Sequence, residues 1–185
     1  MLGKTEHARP TQYHYDSLGN LRSVDLPDGR HIDYLIDGRN RRVGKKVDGV
    51  WSRGFLYADQ LNPVAEVDAT GQVDKVFVYG TRANVPEYMG QDGRTFRILC
   101  DHLGSPRLVI DAWTGEVVQQ MEHDAFGRTL SDTNPGLVPF GFAGGIDDRD
   151  IGLVRFGARD YDPHSGRWTM LDPIYFEGKQ SNLYS

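Results

Sequence analysis

The chain carries two Asp-Pro pairs, Asp162-Pro163 and Asp172-Pro173, with Arg159 and Arg167 beside the first. Paired aspartates suit one chemistry above others. Two carboxylates held within a few ångströms share a proton, so one acts as a base on water while the other acts as an acid on a carbonyl. The same residues have a purely structural use. Asp before Pro is pushed out of the α region and opens a turn, because Pro fixes φ. Asp162, followed by Pro-His-Ser-Gly, reads as such a turn, closed at Gly166. Arg159 and Arg167 either steady negative charge developing in a transition state or form a structural ion pair.

Other constellations offer less. His102 and His123 each adjoin an aspartate within turn-like runs, without a Ser-His-Asp arrangement. Asp147-Asp148-Arg149-Asp150 lacks the alternating ligands of a calcium loop and reads as a solvated turn. Gly141-Phe-Ala-Gly-Gly145 lacks the Lys-Ser/Thr of a phosphate loop and reads as a flexible turn. The single Cys100 excludes an intramolecular disulfide and a cysteine metal framework; it reads as a small core residue. Trp51, Trp113 and Trp168 are spread along the chain and suit strand packing. Arg39-Asn-Arg-Arg42 is the one dense basic spot and reads as a solvated turn, while a net charge of -5 argues against a nucleic-acid partner. No metal or cofactor is implied. No apolar signal-peptide core stands near Met1, and no run reaches the ~18 apolar residues of a membrane span.

The elements that must hold these residues are short. Asp-Gly corners recur at Asp16–Gly19, Asp28-Gly29, Asp48-Gly49, Asp68–Gly71, Asp92-Gly93, Asp101–Gly104, Asp124–Gly127 and Asp162–Gly166. Asp bonds the backbone two residues on, and Gly accepts the positive φ of a tight turn. Between the corners lie runs of strand length rich in β-branched and aromatic residues, such as His31–Ile36 and Val73–Tyr79. Val76 and Val78 alternate with Phe77 and Tyr79, a pattern expected of a strand packed on both faces. No window sustains a helical period, and Pro135 makes Thr133–Leu137 a loop. The expectation is all-β: a curved sheet of hairpin repeats with exposed edges, few helices, and self-association through those edges. A β-sandwich is the ordinary alternative; the repetition of the corner itself favours stacked repeats.

The motifs carry a family likeness. Tyr13-His-Tyr-Asp-Ser-Leu-Gly19 resembles the tyrosine-aspartate (YD) repeat of rearrangement-hotspot (RHS) proteins. Asp101-His-Leu-Gly-Ser105, the run from Gly141 to Asp172-Pro-Ile174, and Asn182-Leu-Tyr-Ser185 resemble the RHS repeat-associated core. The resemblance implies a tail over 1–12, repeat sheet over 13–140 and an inward-turning plug over 141–185, cut short of a cleavage site. It implies a shell that encloses and delivers a C-terminal toxin lying outside this chain, with the rest of that shell and the toxin as partners. A secretion spike or chaperone, export by type VI or other routes, and no membrane span go with it. In the family an aspartyl-type self-cleaving site uses two Asp-Pro elements; Asp172 falls at the first, although Tyr175 stands where Gly is frequent. That leaves a self-processing fragment and a carbohydrate-binding module as alternative functions.

Overall fold

The computed structural model describes residues 10–82 and 84–170. Twelve strands form one sheet in strict sequence order, each antiparallel to the next. They are β1 (Gln12–Tyr15), β2 (Leu21–Asp25), β3 (His31–Ile36), β4 (Arg42–Val47), β5 (Val50–Tyr57) and β6 (Pro63–Val67). Then come β7 (Val73–Tyr79), β8 (Pro86–Gln91), β9 (Arg94–Cys100), β10 (Pro106–Asp111), β11 (Val117–His123) and β12 (Thr129–Asp132). The sheet does not close: β1 pairs only with β2, and β12 only with β11. A second sheet of four antiparallel strands follows: β13 (Ile146–Asp148), β14 (Leu153–Phe156), β15 (Arg159–Asp162) and β16 (Arg167–Trp168). One 3-10 turn, Phe142–Gly144, is the sole helical element among the described residues.

The corners explain the meander. At Asp16, Asp37, Asp68, Asp101 and Asp124 the same five-residue loop recurs, the Asp amide bonding the carbonyl four residues on. The Asp carboxylate accepts two further amides, as Asp101 does from Leu103 and Ser105 at 3.0 and 2.9 Å. The fourth loop position takes positive φ, at Gly19, Gly71, Gly104 and Gly127, and at Asn40 in the loop from Asp37. Asp48-Gly49 and Asp92-Gly93 have positive φ at both residues, the two-residue hairpin geometry that matches strand twist. Two turns and two strands make one repeat, so corresponding loops open at 16, 37, 58, 80, 101 and 124, all on one rim of the sheet.

One face of the large sheet is covered and the other is open. Val24, Ile32, Tyr34, Phe55, Phe77, Met89, Phe96, Val109 and Met121 fall in register on the covered face. The chain after β12 returns across that face, and Val138, Phe140, Ile146 and Leu153 are buried against it. Phe140 meets Phe77 edge-to-face at 4.9 Å, and each such buried side chain contributes roughly 1.5–3 kcal/mol. The expected two-sided packing at Val76–Tyr79 is not what forms: Val76 and Val78 are about half exposed, because none of the described residues covers that face of β7. Trp51 is the main cover on the open face. Its ring lies over Gly44 and Gly54, where an added Cβ at Gly44 would fall 2.4 Å from the ring, and its indole N–H donates to the Asp68 carbonyl. Trp113 does not pack in a strand; it projects from the β10–β11 turn.

Candidate functional site

The site this fold builds is the seam where β13–β15 sit on β3 and β4. Tyr34 and Lys45 are directly opposed on β3 and β4 and face the incoming segment. The Lys45 ammonium lies 2.6 Å from Asp148 Oδ1 and 2.6 Å from Asp150 Oδ2. Tyr34 Oη donates to Asp148 Oδ2 at 2.6 Å, and the Arg42 guanidinium stacks 3.7 Å over the Tyr34 ring. Arg42 then donates to Asp160 Oδ1 at 3.0 Å, while Arg155 donates to Asp160 Oδ2 at 2.8 Å. Arg155 also reaches Asn20 Oδ1 and the Asn40 carbonyl, both at 3.1 Å. Three cations and three carboxylates therefore interlock two sheets, and all but Asp150 are almost completely buried.

Burial alone would raise the Asp148 carboxyl. The Lys45 and Arg42 charges, with hydrogen bonds from Lys45 and Tyr34, pull it below the ordinary carboxylate value instead. Next to it, Asp147 goes the other way: burial pushes it up and Arg149 only partly offsets the rise. Desolvation also lowers Arg155 and raises Tyr34, for which an ionised Asp148 adds to the effect. Such a cluster holds a fixed geometry between the two sheets.

Two expectations are corrected here. Arg39–Arg42 is not simply a solvated turn, since Arg42 is buried, and Asp147–Asp150 is not one either, since Asp148 is buried. The reason is mutual: each cluster supplies the counter-charge that lets the other leave water. Gly141–Gly145 is a packed corner, since a Cβ on Gly144 would meet Val85 at 2.9 Å and the Asn84 carbonyl at 3.1 Å.

Of the residues around the two Asp-Pro pairs, Arg159, Asp162 and Arg167 lie in the second sheet, near the seam. Asp162 closes its own turn: its carboxylate accepts from the His164 amide and the Ser165 hydroxyl, both at 2.8 Å, and its carbonyl accepts from Gly166. Arg159, on β15, stacks 4.0 Å over the Trp168 ring, and Arg167 is exposed on β16 opposite Asp162. Asp172 lies outside the described residues. His102 sits in the Asp101–Gly104 turn, but His123 ends strand β11, with both ring nitrogens buried and unbonded among the described residues. Cys100 ends β9, half-buried against the core, and burial raises its thiol to about 11.

His123 and Cys100 hold the repeat position that Tyr15, Tyr57 and Tyr79 hold elsewhere, the residue just before the rim loop. Tyr57 donates to the Arg42 carbonyl and Tyr79 to the Pro63 carbonyl, each at 2.9 Å and each at the start of the preceding strand. The tyrosine of the repeat thus ties the end of one strand to the start of its neighbour.

This arrangement of an open hairpin strip, repeated Tyr-Asp corners and a returning tail has counterparts. The profile of the Teneurin YD-shell family matches residues 3–183. The chain belongs to the teneurin YD-shell family. It is a YD-repeat protein of the RHS kind. Mouse Teneurin-4 is 31% identical over 176 residues, covering 92% of this chain and 6% of the relative. The tRNA3(Ser)-specific nuclease WapA of Bacillus spizizenii is 27% identical over 166 residues, 87% of this chain and 7% of the relative. The crystal structure of TcdB2-TccC3 without hypervariable C-terminal region superposes with a TM-score of 0.68 at 20% identity, over 94% of this chain and 9% of that one. The YD-shell chain spans less than a tenth of each of these proteins. Its all-β architecture, with a sheet that stays open, is the fold of the matched part of TcdB2-TccC3, and the family match supports a structural shell role.

Proposed function

We propose that this segment is a piece of shell wall together with the plug that turns inward from it, and that the complete shell encloses a C-terminal toxin. Wall and plug divide as 13–140 and 141–185. The observation that carries the reading is the seam: six interlocked charges seat β13–β15 on one face of the strip, which directs the following chain to that side. The open edges of β1 and β12 suit continuation into the rest of the shell, and the likeness to WapA and TccC3 supports export. Within this reading Asp172 is one carboxylate of a self-cleaving pair, with Arg159 and Arg167 as supporting charges.

The test uses the longer protein that holds this segment. Protease treatment should spare the sequence beyond the plug, and Arg155→Ala should expose it. A tail equally accessible in both forms overturns the enclosure. Separately, Asp172→Asn should stop self-cleavage on a gel, and normal cleavage removes Asp172 from the chemistry.

A further inference from the structure

The second sheet touches both ends of the strip at once. At the near end Arg155, on β14, donates to Asn20 Oδ1 at 3.1 Å, and Leu153 is buried with Leu21 and Val24. Met170 Cε lies 3.4 Å from where a Cβ on Gly19 would stand. At the far end Tyr161 Oη donates to the Phe126 carbonyl at 2.9 Å, and the Phe126 ring lies 3.1 Å from the Cβ position of Gly166. Phe142 stacks on Tyr161 at 5.7 Å and fills the space a side chain on Gly127 would need, while Arg149 pairs with Asp132 on β12. Asp162, next to Tyr161, lies close enough to β1 that its charge adds to burial in raising the Tyr13 hydroxyl.

These contacts are incompatible with a flat strip. The β1–β2 loop and the β11–β12 loop stand ten strand spacings apart, about 48 Å in an uncurled sheet at ~4.8 Å per spacing. Gly166, at Phe126, and Met170, at Gly19, are four residues apart in the chain, a reach of at most about 14 Å. The rim is therefore curled until its first and last loops face each other across β15 and β16. Strand twist turns each strand on its neighbour but joins no edges. β1 and β12 do not pair, and among the described residues no hydrogen bond or ion pair runs directly from β1–β2 to β11–β12. The links across that gap pass through residues 142–170.

We propose that the second sheet is a tie that sets the curvature of the strip, holding its first and last hairpins together so that the strip opens without it. The consequence for the shell rests on the wall-and-plug reading: the plug fixes the width of the wall at this end, and the wall closes only once the tail that follows it in the chain has docked. Pulsed electron resonance on the full chain tests the tie, with spin labels at Leu18→Cys and Leu130→Cys, both exposed, in a Cys100→Ala background. The intact tail should hold the labels within about 35 Å, against about 50 Å for an uncurled strip. Phe126→Ser/Arg149→Ala/Tyr161→Ala cuts the far anchorage alone and should lengthen that distance by about 10 Å or more, two strand spacings. A second pair, Leu103→Cys and Leu130→Cys, lies within the far end and should keep its distance. Labels farther apart than the first bound with the tail intact overturn the tie. So does a distance that survives the triple variant, since the curvature would then belong to the large sheet itself. Should both pairs broaden, the triple variant has unfolded and Tyr161→Phe decides: a broader Leu18–Leu130 distribution upholds the tie, and an unchanged one overturns it. Neither result depends on whether a toxin lies inside, which the protease treatment of the longer protein addresses.

Discussion

Asp148→Ala is the sharpest perturbation of the seam. Asp148 is completely buried and accepts from Lys45 and Tyr34, both at 2.6 Å, with Arg42 Nη1 at 3.6 Å. Removing one partner of a buried ion pair costs about 3–5 kcal/mol, because the surviving charge stays out of water. Here both surviving cations keep a second carboxylate, Lys45 at Asp150 and Arg42 at Asp160. That places the loss at the low end, about 3 kcal/mol, with the orphaned Tyr34 hydroxyl contributing roughly 1 kcal/mol of it. Lys45→Met on top of Asp148→Ala removes the buried charge that had lost one of its two carboxylate partners. The double variant should therefore be less destabilised than the sum of the singles by at least about 1 kcal/mol.

Urea unfolding measures both quantities, with Trp168 reporting on the second sheet and Trp51 on the open face of the first. Hydrogen exchange adds a location: in Asp148→Ala the amides of β13 and β14 should lose protection before those of β8 to β10. A loss under about 1 kcal/mol, or strict additivity in the cycle, would refute the reasoning, since it would mean that the charges are dispensable to docking.

Three further outcomes follow from local geometry. His123→Tyr restores the repeat's tyrosine, whose hydroxyl should reach the Pro106 carbonyl as Tyr79 reaches Pro63, and stability should rise by about 1 kcal/mol in denaturant unfolding. Gly127→Ala puts a Cβ 2.2 Å from Phe142 at φ +92 and should cost at least about 3 kcal/mol; Gly71→Ala at φ +83 meets nothing within 4 Å and should cost about 1–2 kcal/mol. Equal losses would show that the clash with Phe142 is relieved freely. The two perturbed histidines pull in opposite directions with pH. Burial, helped by Arg107, holds His123 below the ordinary imidazole value of 6.5, so its stabilisation is present above pH 6.5 and fades as pH falls through that value toward its folded one. A bond to Asp25 raises His31, so its contribution is full below pH 6.5 and fades as pH rises through its folded value. Melting temperature should therefore fall less between pH 7 and 5 in His123→Tyr than in wild type, and more in His31→Gln; the reverse order would contradict both assignments.

The turns were legible in the sequence because their chemistry is local. Positive φ favours Gly, Asn or Asp, and a carboxylate three residues before it can bond the loop amides, so Asp16–Gly19 or Asp124–Gly127 announces itself without tertiary knowledge. The open all-β sheet followed from those corners and the strand-length runs between them. Which face of a strand would be covered was not legible. Val76 and Phe77 are equally apolar, and only a segment arriving some sixty residues later, with Val138 and Phe140, decides that Phe77 is inside.

The seam was missed for a related reason. Arg39–Arg42 and Asp147–Asp150 each read as a solvated turn because a dense charge cluster, taken alone, belongs in water. Taken together they are complementary in sign, and each runs into a strand, Arg42 opening β4 and Asp147-Asp148 closing β13. The usable signal was a pairing of opposite clusters across the chain. Aligning the chain on its repeat carries the same kind of information: with the rim loops set in register, His123 and Cys100 stand where tyrosine stands in other repeats. A tyrosine there ends in a hydroxyl that a strand-start carbonyl can accept; imidazole and thiol end short of it. The buried, unbonded ring nitrogens of His123 are the physical consequence of that substitution, and they mark the hairpin of β11 as the place where the repeat gives up a hydrogen bond.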